Sequence, residues 1–239
     1  MARPEPTFYW YDFETDGTDP RRSRPVQFAG QRTDANFEPI GEPLNILCRP
    51  QTDRLPSMEA ALVHGISPAK AAREGVDEAA FADQILTELE RPGTTAVAYN
   101  GTRFDHEFMR HLCWRTLRDP YLWSSRGNAR WDPIDTLRAA AAYRPEALNW
   151  PVNEEGSTLF KLELLARENG VEQLHAHDAL SDVLATIGVL QKLRVAAPRL
   201  VDWGLGSRDY KTVRGRLQFD RKVPVLWTAS TTPSALCCT

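Results

Sequence analysis

Asp12 and Glu14 stand one residue apart at the end of an alternating, aromatic-rich run that begins at Thr7. That spacing constrains the fold more than any other feature of the chain. Alternation of this kind reads as a strand, so both carboxylates leave the same face of it. Two acids side by side on a buried strand repel each other and are costly to take out of water. Either the pair sits at a solvated strand end, or a hard divalent cation such as Mg²⁺ or Mn²⁺, which favours oxygen ligands, offsets the cost.

Two further acidic segments follow, Phe104-Asp105-His106-Glu107 and His177-Asp178-Ala179-Leu180-Ser181-Asp182. Asp105 falls in the first turn of an expected helix, where the helix dipole alone favours a carboxylate. His106 and Glu107 compete with it. With Phe104 and Phe108 pointing inward, Asp105 is expected at the rim and is preferred. Asp178 is a natural N-cap, which explains its acid without further function. Asp182 lies inside the same helix beside core Val183 and needs a partner, which a metal would supply. His177, on the approach to that helix, is either a solvent-exposed histidine or a base able to take a proton from water.

The 239 residues, 42% of them hydrophobic, suffice for one substantial α/β domain with a small appendage. No apolar run is long enough to span a bilayer, and Met1 to Pro6 lacks the apolar core of a secretion signal. Cytoplasm is therefore the expected location, with no membrane partner. The four cysteines show no CxxC spacing, which argues against a zinc framework or a disulfide scaffold. Net charge is −3, yet six basic residues against two acids lie between Gly206 and Lys222. The acidic remainder contains the very carboxylates that metal ions would neutralise, so net charge neither favours nor excludes a phosphate substrate.

Three early strands, Thr7–Asp12, Val26–Thr33 and Pro43–Cys48, have connections too short for crossovers and predict an antiparallel meander. Ser67-Pro68 and Asp77 read as helix starts, the latter with Phe81, Ile85 and Leu89 on one face. Thr94–Tyr99 predicts a further strand, and residues 104–117, 133–143, 159–169 and 178–193 predict helices. Residues 119–131 read as a loop. Pro198 closes the clear pattern, and Ser230–Thr239 reads as disordered.

Taken together, the acidic segments resemble the DEDDh group of DnaQ-like 3′–5′ exonucleases, with Asp-x-Glu, a middle Asp and His-x(4)-Asp at Asp12, Glu14, Asp105, His177 and Asp182. A narrower resemblance is to the bacterial exonuclease I family. It is carried by Arg24-Pro25-Val26-Gln27-Phe28-Ala29, Tyr99-Asn100-Gly101-Thr102-Arg103-Phe104-Asp105, Asp119-Pro120-Tyr121, Arg130-Trp131-Asp132, Asn149-Trp150-Pro151 and Ala176-His177-Asp178-Ala179. The resemblance implies a ribonuclease H-like α/β fold, a mixed central sheet flanked by helices, over residues 7–205. Residues 206–239 are then a basic C-terminal extension, the remnant of an SH3-like domain in a chain cut short. It further implies a two-metal hydrolysis of single-stranded DNA from its 3′ end to 5′-mononucleotides, in DNA repair or recombination. Asp12, Glu14 and Asp182 would hold one Mg²⁺, Asp105 would help to hold the second, Mn²⁺ could substitute, and His177 would be the general base.

The same resemblance marks Glu14, Thr15, Arg110, Tyr121, Arg138 and Lys161 as substrate contacts. Lys161 stands where relatives carry an arginine, keeping the charge but losing the bidentate fork. Arginines beside aromatics suit single strands, although Arg110 and Arg138 also read as solvated helix faces and Tyr121 as core. Trp123 and Trp131 are the tryptophans best placed for a role beyond packing, and His64 reads as structural. Single-stranded-DNA-binding protein is an expected partner of a longer form. The competing readings are an exoribonuclease of the same group and a partner-dependent proofreading or scaffold module.

Overall fold

The computed structural model describes residues 6–121, 127–173, 177–217, 224–227 and 235–238. Strands β1 (Thr7–Thr15), β2 (Pro25–Thr33) and β3 (Leu44–Leu47) form the expected antiparallel meander. Helices α1 (Met58–His64), α2 (Pro68–Glu74) and α3 (Glu78–Leu89) lead to β4 (Thr94–Val97), which pairs with β1 in parallel on its free side. After α4 (Asp105–Arg115), β5 (Ala129–Trp131) extends the sheet in parallel, giving the order β3-β2-β1-β4-β5. Helices α5 (Ile134–Tyr143), α6 (Leu162–Glu168), α7 (Ala179–Ala196), α8 (Pro198–Gly206) and α9 (Tyr210–Arg216) follow, and β6 (Pro224–Trp227) pairs with β7 (Ala235–Cys238) as a separate antiparallel ribbon.

β1 is central and buried on both faces, which is why aromatics occupy almost every position of its first half. Phe8 and Trp10 pack on one side with Phe37, Leu137 and the Val183, Ile187 and Leu190 stripe of α7. Tyr9, Tyr11 and Phe13 pack on the other side with Phe28, Phe81, Ile85, Phe108 and Leu112. The two-residue period carries Asp12 and Glu14 onto the α7 face. The carboxylate pair thus continues the hydrophobic stripe that anchors the longest helix.

Four expectations are corrected. β5 lies within the expected loop, because three residues are too few to show alternation. Its Trp131 is buried, with its ring 6.5 Å from Phe8 and 6.1 Å from Trp10; packing, not surface contact, is its role. Trp123 lies outside the described residues. Pro198 ends α7 but also occupies the first turn of α8, where its missing amide costs nothing. α8 then packs Val201 and Leu205 into the core, and its Gly204 lies so close to α5 that a Cβ there would come 2.2 Å from the Thr136 hydroxyl. Ala235–Cys238, expected disordered, is the strand β7. No helix among the described residues is long and apolar enough to cross a membrane.

Candidate active site

β1 outruns its parallel neighbour. β4 pairs with it only from Thr7 to Trp10, so the amide of Phe13 has no strand partner on that side. It donates instead to Asp105 Oδ1 at 3.1 Å. The first residue of α4 therefore replaces the missing strand, and Asp105 is only 3% exposed. This corrects the expected rim position. The cause is the tight turn between β4 and α4. Asn100 adopts a left-handed conformation (φ 53°), and a Cβ on Gly101 would come 2.3 Å from Ala98 Cβ and 3.0 Å from the Asp105 carboxylate.

Asp132, at the end of β5, clamps that turn. It accepts from the amides of Asn100 (3.0 Å) and Thr102 (3.0 Å), the Thr102 hydroxyl (2.9 Å) and the Ile134 amide (3.1 Å). His106 is buried with Asp105 and meets the Tyr11 hydroxyl at 2.5 Å through Nδ1. Glu107 faces outward and pairs with Arg110. One turn of helix thus sends its three polar residues in three directions, and only Asp105 reaches the end of β1.

α7 brings the remaining groups. Asp178 is its N-cap, accepting from the Ser181 amide at 3.1 Å. Asp182, in the first turn, is held by Gln173 Nε2 at 2.6 Å. His177, just before the cap, is exposed and left-handed (φ 64°), a conformation histidine enters more readily than most side chains. Glu14, His177 and Asp182 each present a ligand atom within 4.8 Å of the other two. Asp12 and Asp105 are not part of that trio. Asp12 is half-buried on β1 and feels the charge of Asp105, which is buried.

The electrostatics show what this arrangement lacks. Burial first, then Asp105, Glu14 and Asp182, hold Asp12 well above the usual carboxylate range. Burial first, then Asp182, Asp105 and Asp178, raise Glu14 from 4.5 to about 8. Burial raises Asp105 from 3.8 to about 7, against the opposing hydrogen bond from Phe13. Asp182 is also raised by burial, with Gln173 acting against the shift. Oxygen donors crowded in this way fit divalent cations, which remove the repulsion that each acid imposes on the others.

A model of the exonuclease family matches residues 9–190. The chain belongs to the exonuclease family. It is 45% identical to exodeoxyribonuclease I of Escherichia coli over 94% of this chain and 48% of that protein. A crystal structure of E. coli exonuclease I in complex with a dA16 oligonucleotide superposes with a TM-score of 0.94 at 38% identity, covering 98% of this chain and 51% of that one. An ExoI/SSB-Ct complex superposes with a TM-score of 0.92 at 36% identity, covering 98% and 52%. The chain therefore spans about half the length of the curated relative it matches. Its mixed sheet flanked by helices is the ribonuclease H-like exonuclease fold, and the family's chemistry is metal-dependent.

Around this acidic cluster the remaining expected residues take distinct places. Thr15 is buried at the end of β1, beside a bulge, with its hydroxyl on the Gly17 carbonyl at 2.7 Å. Lys161 is exposed at the N-cap of α6, on a segment anchored by the Tyr99 hydroxyl to the Phe160 carbonyl at 2.7 Å. Arg138 is not a solvated helix face: its largely buried side chain pairs with Asp135 at 3.0 Å and lies over the Phe160 ring. Tyr121 is exposed rather than core. Arg110 is tied to Glu107 on the outer face of α4. His64 is structural as expected, its Nδ1 accepting from the Ile66 amide at 3.1 Å. The Asn149-Trp150-Pro151 element is a brace, with Asn149 and Asn169 exchanging hydrogen bonds of 2.8 and 2.9 Å.

Sequence reasoning gave no role to Gln27, Gln173 or Asp132, the polar groups that hold the acids in place. Gln27 figured only as part of the Arg24–Ala29 segment that carries the resemblance, with no role of its own.

The raised carboxylates make a prediction about stability. Below the unfolded values the acids are protonated in both states. Between those values, 3.8 and 4.5, and the folded values of about 7 and 8, the unfolded chain has released protons that Asp105 and Glu14 keep in the folded chain, so stability falls across that window and levels off above it. Thermal melts in EDTA should therefore give a higher Tm near pH 5 than near pH 8.5, and Mg²⁺ should restore the loss at the higher pH. A flat profile in EDTA would show that the acids are not coupled to folding.

Proposed function

We propose that this chain is a 3′–5′ exodeoxyribonuclease that degrades single-stranded DNA to 5′-mononucleotides, acting in DNA repair or recombination in the cytoplasm. The observation that carries the reading is the gathering of Asp12, Glu14, Asp105 and Asp182, with His177, at the end of β1 in a chain of the exonuclease family. Asp12, Glu14 and Asp182 would hold one Mg²⁺ and Asp105 would contribute to a second, with Mn²⁺ able to substitute. When bound, the two ions supply positive charge to the attacking and departing oxygens at the terminal phosphate.

The chain's own residues do the rest. Phe13 and Gln173 hold one oxygen each of Asp105 and Asp182, leaving the other oxygen directed by a fixed carboxylate plane. A ring nitrogen of His177, exposed beside Glu14 and Asp182, accepts the proton of the attacking water. Attack at phosphorus breaks the bond to the 3′-oxygen of the preceding nucleotide, which keeps the departing electron pair. Thr15 would meet the terminal nucleotide through its backbone, and Lys161 a phosphate. Tyr121 offers an exposed ring for base stacking, with Arg110 and Arg138 further along the strand's path. Single-stranded DNA is the substrate in this reading, and single-stranded-DNA-binding protein a partner.

The test is incubation of the purified chain with end-labelled single- and double-stranded DNA, and with matched RNA, in Mg²⁺ or EDTA. A ladder from the 3′ end of single-stranded DNA, seen only with metal, is the expected result. Attack on duplex, from the 5′ end, or preferentially on RNA would overturn it.

A further inference from the structure

Gln27 is a buried amide that ties the strand carrying it to the helix carrying His177 and Asp182. It is 4% exposed and lies opposite Glu14 in the β1–β2 register, so its side chain leaves the sheet on the Glu14 face, beneath the start of α7. Its Nε2 donates to Asp178 Oδ2 at 3.2 Å and to Asn45 Oδ1 on β3 at 3.0 Å. Its Oε1 accepts from the Ala179 amide at 3.3 Å. The other oxygen of Asp178 is taken by the Ser181 amide at 3.1 Å. Both oxygens of this acid are therefore engaged, although it lies between His177 and Asp182 in the chain.

We propose that Gln27 is a positioning residue for the exonuclease reaction: it sets α7 at a fixed distance from the β1 carboxylates and withholds Asp178 from the metal ions. The inference rests on the proposed function. Only a neutral amide does both tasks. A carboxylate at this position could not donate to Asp178 and would place another negative charge beside Glu14. An apolar side chain would leave Asp178 Oδ2 and the Ala179 amide without this partner, freeing Asp178 to turn toward the cations.

The experiment compares the parent chain with Gln27→Met, which keeps length and removes both hydrogen-bonding functions. Three quantities are measured: Mn²⁺ affinity by titration calorimetry on the DNA-free chain, kcat and KM on a single-stranded oligonucleotide, and Tm in EDTA. Residues that orient metal ligands are worth about 10- to 100-fold, and a loss of that size is expected in kcat and Mn²⁺ affinity, with KM changing by less than about threefold. In an Asp178→Asn background the same substitution should lose less, because the two residues act through one contact. Mn²⁺ affinity and kcat of Gln27→Met both within about twofold of the parent, well short of that range, would overturn the proposal. If Gln27→Met does not fold, Asp178→Ser serves instead, since serine keeps the N-cap while releasing Gln27; parent-like kcat and Mn²⁺ affinity there overturn the proposal equally. A parent chain that binds Mn²⁺ but does not cut single-stranded DNA would defeat the functional reading and leave the Mn²⁺ comparison to judge Gln27.

Discussion

Asp12→Asn is expected to slow single-strand hydrolysis by about a thousandfold or more while raising the Tm of the metal-free protein. Metal stabilisation of the transferring group is worth several kcal/mol, and about 1.4 kcal/mol is a factor of ten in rate. The asparagine is isosteric and stays on the α7 face of β1, opposite Ala29 in the strand register. Without metal it removes a charge that burial, Asp105, Glu14 and Asp182 all oppose. Each kcal/mol of relief raises Tm by roughly 2–4 °C in a chain of this size. Calorimetric melts in EDTA and in Mg²⁺, with kcat on a single-stranded oligonucleotide, check both halves. The stabilisation by Mg²⁺ should shrink in the variant. A variant that melts lower in EDTA and keeps a rate within about tenfold of the parent, far above what loss of a metal ligand allows, would make Asp12 a structural acid.

The second large effect is expected from His177→Asn. Asparagine tolerates the left-handed backbone at this position, so the variant deletes the imidazole without straining the turn before α7. Loss of a general base costs about 10²–10⁴ in rate. Because His177 lies within ligand distance of Glu14 and Asp182, the same geometry would also allow it to bind an ion directly. Metal affinity separates the two roles. As a base, His177→Asn leaves Mn²⁺ affinity nearly unchanged; a large loss of affinity would assign it as a ligand.

How much of the site was legible beforehand depended on the range of the interaction involved. Asp12 and Glu14 could be placed on one strand face because side-chain direction repeats every two residues. Asp178 could be set aside as a cap because capping reaches only three residues along the chain, to Ser181. Ser67 and Asp77 were equally readable as caps. Asp105 was preferred over its neighbours, and its carboxylate meets the β1 backbone at Phe13, but its surroundings were misjudged. Helical periodicity showed where Phe104 and Phe108 point, and could not show that β4 stops short and leaves the Phe13 amide open. β5 and α8 were lost for a similar reason. A three-residue strand has no period to detect, and a proline after a helix marks an ending and a beginning alike.

The sequence by itself determined the chemical ingredients and their local presentation: two acids on a strand, one at a helix start, and a histidine five residues ahead of a helical aspartate. Tertiary structure alone decided how they meet. The Phe13–Asp105 bond joins residues 92 positions apart, and the Gln27–Asp178 bond joins residues 151 apart. Contacts of that span depend on the whole sheet and on the packing of α7 across it, so no local period or cap encodes them. The strand pair Asp12 and Glu14 announces a need for positive charge, and the fold answers by bringing further acids, with His177, to the pair.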